Sequence, residues 1–101
     1  MKPILLLGAT GFTGTLCAAS LDRLEAPYIL AGRNLEKLQA LEKNCSHAQG
    51  IRQIDVEDPA SLQDGCKDIS VVLTTVGPFR RYGAPVVQAA LDAGIHYVDT
   101  T

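Results

Sequence analysis

Three glycines stand at three-residue spacing in the segment GATGFTG, residues 8–14, directly after the apolar run ILLL. Gly8 can turn sharply out of a strand, because glycine adopts positive φ without steric cost. Gly11 lets a ligand approach the backbone, and Gly14 lets a helix pack closely on the strand. This pattern is typical of a turn that binds pyrophosphate at a helix N-terminus. A turn that merely connects a strand to a helix is the alternative.

The residues after the second apolar run indicate which dinucleotide would bind. NAD-binding proteins commonly place Asp or Glu about 20 residues after the glycines, where it binds the ribose 2′-hydroxyl. This sequence has AGRN at residues 31–34 and no acid there. An arginine guanidinium matches a 2′-phosphate in geometry and charge. Arg33 therefore predicts NADP(H) in preference to NAD(H), and a solvated arginine near a helix start is the alternative.

Two residues after the third predicted strand are candidates for contact with adenine. Asp58 is expected to cap the next helix, which leaves Asp55 for another role. Asp55 could bond the adenine amino group while Val56 covers the ring. An ordinary turn aspartate is an equally good interpretation of Asp55.

The segment FRRY, residues 79–82, is predicted to be a loop at the cofactor face, and it combines two cations with two aromatic rings. It could meet an acidic substrate or an acyl carrier, and a solvated surface or an interdomain seam is the alternative. The histidines and cysteines do not have metal-ligand spacing, so no metal site is predicted. The sequence assigns no catalytic residue.

Apolar runs and helix signals alternate along the chain. Strands are predicted over residues 4–7, 28–31, 51–54, 69–76 and 97–99. A helix follows the glycines, with Cys17, Leu21 and Leu24 as its apolar stripe. Asn34 and Asp58 are expected to cap the next two helices.

The last helix is predicted to start at Pro85 and to stop at Gly94, because proline favours a first helical turn and glycine favours the position after the end. Its expected inward residues are Val86, Val87, Ala90 and Leu91.

Five strands alternating with four helices predict an α/β domain with a parallel sheet. The expected arrangement is a Rossmann-type, doubly wound sheet with strand order 3-2-1-4-5 and helices on both faces. Ligands of such folds bind where the strand order reverses, here between the first and fourth strands. The chain, residues 1–101, is interpreted as one domain and, because it stops at the end of the fifth strand and would leave an apolar edge bare, as a fragment of a longer protein.

The amino-acid composition limits which binding partners and which cellular location are expected. The net charge is −2 and no block of like charge occurs, so a nucleic-acid partner is not expected. The three cysteines, Cys17, Cys45 and Cys66, are scattered, which favours reduced, buried thiols in a cytoplasmic protein. No apolar stretch approaches the roughly 18 residues of a membrane span. The fifth strand would leave an apolar sheet edge, which predicts self-association.

Four segments together resemble the saccharopine dehydrogenase-like oxidoreductases, a group that includes trans-acting enoyl reductases. They are GATGFTG, AGRN, VGPFRRYGAPVVQAA at residues 76–90 and HYVDTT at residues 96–101. The resemblance implies an N-terminal domain that binds NADP(H). It also implies which residues contact the cofactor, and these are Gly8, Thr10, Gly11, Phe12, Thr13, Gly14, Arg33, Asn34, Thr75, Val76, Gly77 and Pro78.

Hydride transfer is then expected at a nicotinamide held near residues 76–79, with a second α/β domain supplying the substrate pocket. Two other interpretations need the same dinucleotide site. One is a non-catalytic module that senses NADP(H), and the other is the N-terminal half of an extended short-chain reductase or epimerase.

Overall fold

Strands and helices alternate along the protein. The computed structural model describes residues 2–77 and 79–100, and for residues 79–81 it describes the backbone but not the side chains. The nine elements are β1 (Ile4–Leu7), α1 (Phe12–Arg23), β2 (Tyr28–Gly32), α2 (Leu35–Glu42), β3 (Ala48–Gln53), α3 (Pro59–Gly65), β4 (Val71–Thr74), α4 (Phe79–Ala93) and β5 (His96–Asp99).

The five strands form one parallel sheet in the order β3-β2-β1-β4-β5. The central strand β1 pairs on both sides, so that Leu6 lies opposite Leu30 of β2 and Leu73 of β4. The predicted α/β class and strand order are therefore confirmed. The order reverses between β1 and β4, whose carboxyl ends lie side by side.

Each face of the sheet is covered by two helices. Successive side chains of β1 point to opposite faces, so Leu5 and Leu7 join one buried cluster and Leu6 joins the other. The first cluster includes Leu62 of α3 and Val86 of α4. The second is closed by buried residues of α1 and α2. Burial on both faces explains why β1 is apolar throughout.

Three predicted helix boundaries are confirmed. The Asn34 side-chain oxygen accepts a hydrogen bond from the Lys37 amide at 3.0 Å, and the Asp58 carboxylate accepts one from the Ala60 amide at 3.0 Å. Gly94 ends α4 with φ +69°. Its amide and that of Ile95 close the last turn by donating to α4 carbonyls.

The predicted start of α4 is wrong. The helix begins at Phe79, and Pro85 lies inside it. A proline inside a helix loses one backbone hydrogen bond. The buried residues of α4, Val86, Ala89 and Ala90, all follow the proline.

Two leucines that were expected to be buried are exposed, so these predictions are wrong. Leu91 is 68% exposed, because it lies about 140° around the helix from the buried Val86, and Ala89 takes the inward position instead. Leu24 is 74% exposed, because α1 ends one residue earlier, at Arg23. β4 is also shorter than predicted. It spans Val71–Thr74 and not residues 69–76, and these four residues pair with the four residues of β1.

A hydrogen-bonded cluster fastens the amino end of the sheet, far from the glycine segment. Asp22, at the end of α1, accepts a hydrogen bond from the Tyr28 hydroxyl at 2.8 Å and one from the His47 amide at 2.7 Å. These bonds, with the His47 amide contributing most, hold the pKa of Asp22 below its usual range. Burial, together with Cys45 and Asp22, raises the pKa of Tyr28.

Within the part of the chain that the structure describes, no helix is long and apolar enough to cross a membrane. Cys17, Cys45 and Cys66 are free thiols. Cys66 is buried, as predicted, whereas Cys17 and Cys45 are only partly buried.

Candidate functional site

The glycine segment leaves the carboxyl end of β1 and enters α1 at Phe12. Gly8 has φ +82°, which confirms the predicted tight turn. A Cβ on Gly8 would lie 2.7 Å from the Thr75 hydroxyl oxygen and 3.2 Å from the Val76 backbone nitrogen. The end of β4 therefore packs directly against this turn and leaves no space for a side chain.

The Gly8 carbonyl oxygen joins three segments of the chain. It accepts hydrogen bonds from the Gly11 amide at 3.2 Å and from the Thr75 hydroxyl at 3.0 Å. A Cβ on Gly14 would overlap this oxygen and come within 2.8 Å of the Ala9 backbone. The close approach of α1 to β1 that Gly14 predicts is confirmed.

Gly11 differs from its two neighbours in the motif. Its φ is −77°, which any residue adopts, and a Cβ there would meet only the Gly8 carbonyl oxygen, at 3.5 Å. Nothing inside the described structure requires glycine at this position. The space above Gly11 suits a ligand that lies against the backbone.

The N-terminus of α1 is open to an anion. Gly11 is the N-cap and has no side chain that could accept a hydrogen bond from the first amides. The amides of Phe12 and Thr13 belong to that first turn, where the helix dipole also favours negative charge. The Phe12 side chain is 83% exposed and Thr13 is exposed, so both are accessible from solvent.

A polar cavity of about 780 Å³ lies beyond the end of β2. Its lining residues are Thr10, Arg33, Asn34, Leu35, Glu36, Lys37 and Gln53. The Gln53 side-chain amide donates to the Arg33 carbonyl at 3.1 Å and fixes the backbone at the cavity. Two cations and one carboxylate line the cavity, so its net charge favours a phosphate group.

Lys37 and Gln53 were not predicted from the sequence. Lys37 is the third residue of α2, and Asn34 is predicted as the N-cap of this helix, so the sequence could have placed Lys37 in the first turn that follows Arg33. Gln53 reaches the cavity only because β3 pairs with β2, and its register opposite Gly32 could not be known beforehand.

A second, mainly apolar cavity of about 210 Å³ adjoins the polar one. Its lining residues are Leu7, Gly8, Thr10, Gly32, Arg33, Ile54, Val56, Val76 and Tyr82. Thr10 and Arg33 line both cavities. The structure thus brings the predicted residues Val56 and Val76 together. It also places Tyr82 there, from the segment 79–82 that the sequence puts at the cofactor face. That segment lies in α4 and is not the expected loop, and the side chains of residues 79–81 lie outside the described part of the structure.

Asp55 is not among the lining residues of either cavity, although its neighbours Ile54 and Val56 line the apolar one. Its side-chain oxygen accepts a hydrogen bond from the Glu57 amide at 3.0 Å, and its own amide donates to the Ser61 hydroxyl at 2.9 Å. These bonds are those of a turn aspartate, which supports the simpler of its two interpretations.

The residues after β4 serve the site in different ways. The Thr75 hydroxyl points to the backbone of Gly8 and Leu7 rather than into a cavity. Thr74, which was not predicted, is buried, and its hydroxyl oxygen accepts a hydrogen bond from the Val76 amide at 3.2 Å. Gly77 is exposed, and Pro78 lies outside the described residues.

The chemistry of the site is that of binding a charged nucleotide. It combines a helix N-terminus, two cations and an apolar cavity around one opening. In residues 2–77 and 79–100 no group of three His, Cys, Asp or Glu side chains could hold a metal ion. A dinucleotide with an additional phosphate fits the charge of these residues, and the glycine loop leaves backbone accessible for its pyrophosphate.

Comparison with known proteins agrees with this geometry. A family model described as the saccharopine dehydrogenase NADP binding domain matches residues 4–101. The saccharopine dehydrogenase-like oxidoreductase of Homo sapiens is 36% identical over 113 residues, covering 95% of this chain and 26% of that protein. The trans-acting enoyl reductase of Mycobacterium ulcerans is 38% identical over 103 residues, covering 97% of this chain and 25% of that protein.

A solved structure shows the same fold. The triphenylmethane reductase of Citrobacter sp., complexed with NADP(H), has a TM-score of 0.79 and 31% sequence identity, and the match covers 97% of this chain and 36% of that chain. This chain spans about a quarter of the length of the curated relatives it matches.

The predicted resemblance and the predicted choice of NADP are therefore confirmed at the level of the family. The family model covers nearly all of the sequence, and the sheet has the strand order that such a domain requires. This chain belongs to the family of saccharopine dehydrogenase NADP-binding domains.

Proposed function

We propose that this domain holds NADP(H) for hydride transfer in a larger oxidoreductase. The observation that carries the proposal is the polar cavity beside the glycine loop, where Arg33 and Lys37 supply two cations. A 2′-phosphate distinguishes NADP from NAD, and an arginine guanidinium is well matched to it. The complex of the structurally similar triphenylmethane reductase with NADP(H) supports the same choice.

In the proposed arrangement the pyrophosphate lies against the amides of Phe12 and Thr13. The rest of the glycine loop forms the surface beneath it, and its contributing residues are Gly8, Thr10, Gly11 and Gly14. Arg33 and Lys37 hold the 2′-phosphate. The Asn34 side chain supports them indirectly, because it caps the helix that carries Lys37.

Thr75 acts through the loop and is a positioning residue in this proposal. Its hydroxyl holds the carbonyls of Leu7 and Gly8, which fixes the turn at Gly8. Gly77 and Pro78 remain proposed contacts of the cofactor beyond β4. Asp55 remains a proposed contact of adenine through a carboxylate oxygen, although its turn hydrogen bonds favour a structural role.

When bound, the nicotinamide donates or accepts the hydride, and this domain binds and orients the dinucleotide. We propose that the substrate pocket belongs to a second domain outside these 101 residues. The support is that the chain spans about a quarter of its curated relatives. A module that senses NADP(H) without turnover would use the same site, and an assay of hydride transfer by the longer protein distinguishes the two.

The test of the proposal is a calorimetric titration of the chain with NADPH and with NADH, for wild type and for Arg33→Asp. We expect wild type to prefer NADPH and Arg33→Asp to lose that preference. Arg23→Asp is the matched control, since Arg23 is an exposed arginine at the far end of α1. A preference unchanged by Arg33→Asp, or lost equally in Arg23→Asp, would contradict the role of Arg33.

Two further proposals concern partners and location. The outer edge of β5 pairs with no strand in the described sheet, and Val98 in this strand is half exposed, so we propose self-association through this edge. Light scattering that shows a monomer at high concentration would contradict it. We also propose a cytoplasmic location, which the three free cysteines support.

A further inference from the structure

The apolar cavity and the polar cavity divide the proposed nucleotide site into two parts of different chemistry. They meet at Thr10 and Arg33, beside the glycine loop. The apolar cavity, about 210 Å³, is smaller than the roughly 300–1,000 Å³ of pockets that take a whole ligand. It therefore suits one flat, largely apolar part of a dinucleotide, and adenine has those properties.

Tyr82 is the aromatic residue among those that line the apolar cavity. It belongs to α4, which follows β4, whereas Val56 follows β3 on the other side of the strand reversal. Leu7, at the end of β1, and Gly8, which follows it, line the same cavity. A planar base that enters this cavity meets aliphatic side chains and one aromatic ring.

We propose that Tyr82 contacts the adenine ring of NADP(H) and is a determinant of affinity for the adenosine half of the cofactor. The inference rests on the proposed function. It also assigns Val76 to the adenosine end, since this residue lines the same cavity as Arg33 and Val56. Stacking of a base on an aromatic side chain accounts for the expected gain in affinity.

The experiment uses adenosine 2′,5′-bisphosphate, which carries the adenine and the 2′-phosphate without the nicotinamide. Calorimetry measures its Kd for wild type, Tyr82→Ala, Tyr82→Phe and Leu91→Ala. We expect Tyr82→Ala to raise Kd about 5- to 150-fold. Tyr82→Phe keeps the ring and is expected to stay close to wild type. Leu91→Ala, an exposed position on the same helix, is the matched control.

A second measurement does not depend on the alanine variant being folded. The chain has three tyrosines and no tryptophan, and Tyr28 is fully buried. Binding of adenosine 2′,5′-bisphosphate is therefore expected to quench tyrosine emission in wild type and to leave emission unchanged in Tyr82→Phe.

The outcomes separate this inference from the proposed function. If wild type binds the bisphosphate and Tyr82→Ala binds it equally well, or if Tyr82→Phe retains the quenching, the role of Tyr82 is refuted while the NADP site stands. If wild type binds neither the bisphosphate nor NADPH, the proposed function fails and the inference fails with it. Weaker binding in Tyr82→Ala, with binding retained in Tyr82→Phe and Leu91→Ala, supports both.

Discussion

The substitution Gly14→Ala is the sharpest test of how the glycine loop is built. A Cβ at this position would overlap the Gly8 carbonyl oxygen and lie 2.8 Å from the Cα and carbonyl carbon of Ala9. Carbon contacts shorter than 3.0 Å essentially never occur at real Cβ atoms. The atoms in the way are all backbone, so no side chain can rotate aside, and α1 must move away from β1.

The expected effect is the difference between two terms. Alanine favours a helix interior over glycine by about 1 kcal/mol. Overpacking of a close contact costs about 1–3 kcal/mol, and the rigid neighbours here place Gly14 at the upper end. The net loss of unfolding free energy is about 2 kcal/mol. A domain of this size loses about 4–8 °C in Tm per kcal/mol, so we expect Tm to fall by roughly 8–16 °C.

The matched control is Gly11→Ala, three residues earlier in the same motif. Its Cβ would lie 3.5 Å from the nearest atom, and its φ of −77° suits alanine. Alanine is a poorer N-cap than glycine, at a cost of about 1 kcal/mol or less. Thermal unfolding followed by circular dichroism compares the variants. If Gly14→Ala melts no lower than Gly11→Ala, the close contact between α1 and β1 is not the reason for the glycine.

Two further predictions concern stability elsewhere in the domain. Hydrogen bonds to the Asp22 carboxylate, above all from the His47 amide, lower its pKa in the folded protein below the ordinary value of 3.8. The ionised carboxylate therefore stabilises the fold at any pH above 3.8, and this stabilisation is lost as the pH falls through the folded-state pKa. Asp22→Asn should therefore be less stable than wild type at neutral pH, with the difference closing below about pH 4 in urea titrations; a constant difference would contradict this linkage. Pro85→Ala should raise the unfolding free energy by about 2 kcal/mol, because an interior proline costs about 3 kcal/mol and its entropic benefit in the unfolded chain is about 0.4–1 kcal/mol. Denaturant unfolding measures that gain, and an unchanged midpoint would argue against a continuous helix through this residue.

The sequence was a good guide wherever a local rule determines the structure. Gly8 and Gly14 have no alternative in a strand-to-helix turn of this kind, and Asn34 and Asp58 cap helices by contacts within three residues. The alternation of strands and helices was sufficient for the sheet order, since right-handed crossovers leave few arrangements.

The errors occur where tertiary packing overrides a local preference. Pro85 has the residue type of a helix start, yet α4 extends back to Phe79 and includes the proline. Leu91 is expected from the sequence to face inward, but its position around the helix, about 140° from the buried Val86, leaves it exposed.

A sequence motif does not specify where a side chain points, as Tyr82 and Thr75 show. Tyr82 lines the apolar cavity because it belongs to α4, which packs on α3, β4 and β5. Thr75 was predicted as a lining residue, but its hydroxyl bonds to the β1 backbone. The direction of each side chain depends on a register that forms between distant strands.

The hydrogen bond from Thr75 to the Gly8 carbonyl also has a consequence for the order of folding. It joins residues 67 positions apart in sequence. Closing so long a segment is slow, and parallel strands are among the last contacts to become favourable. The turn at Gly8 therefore gains its final geometry only after β4 has docked beside β1. A nascent chain that has reached α3 contains the entire glycine motif, but it does not yet have the support that makes the motif a binding site.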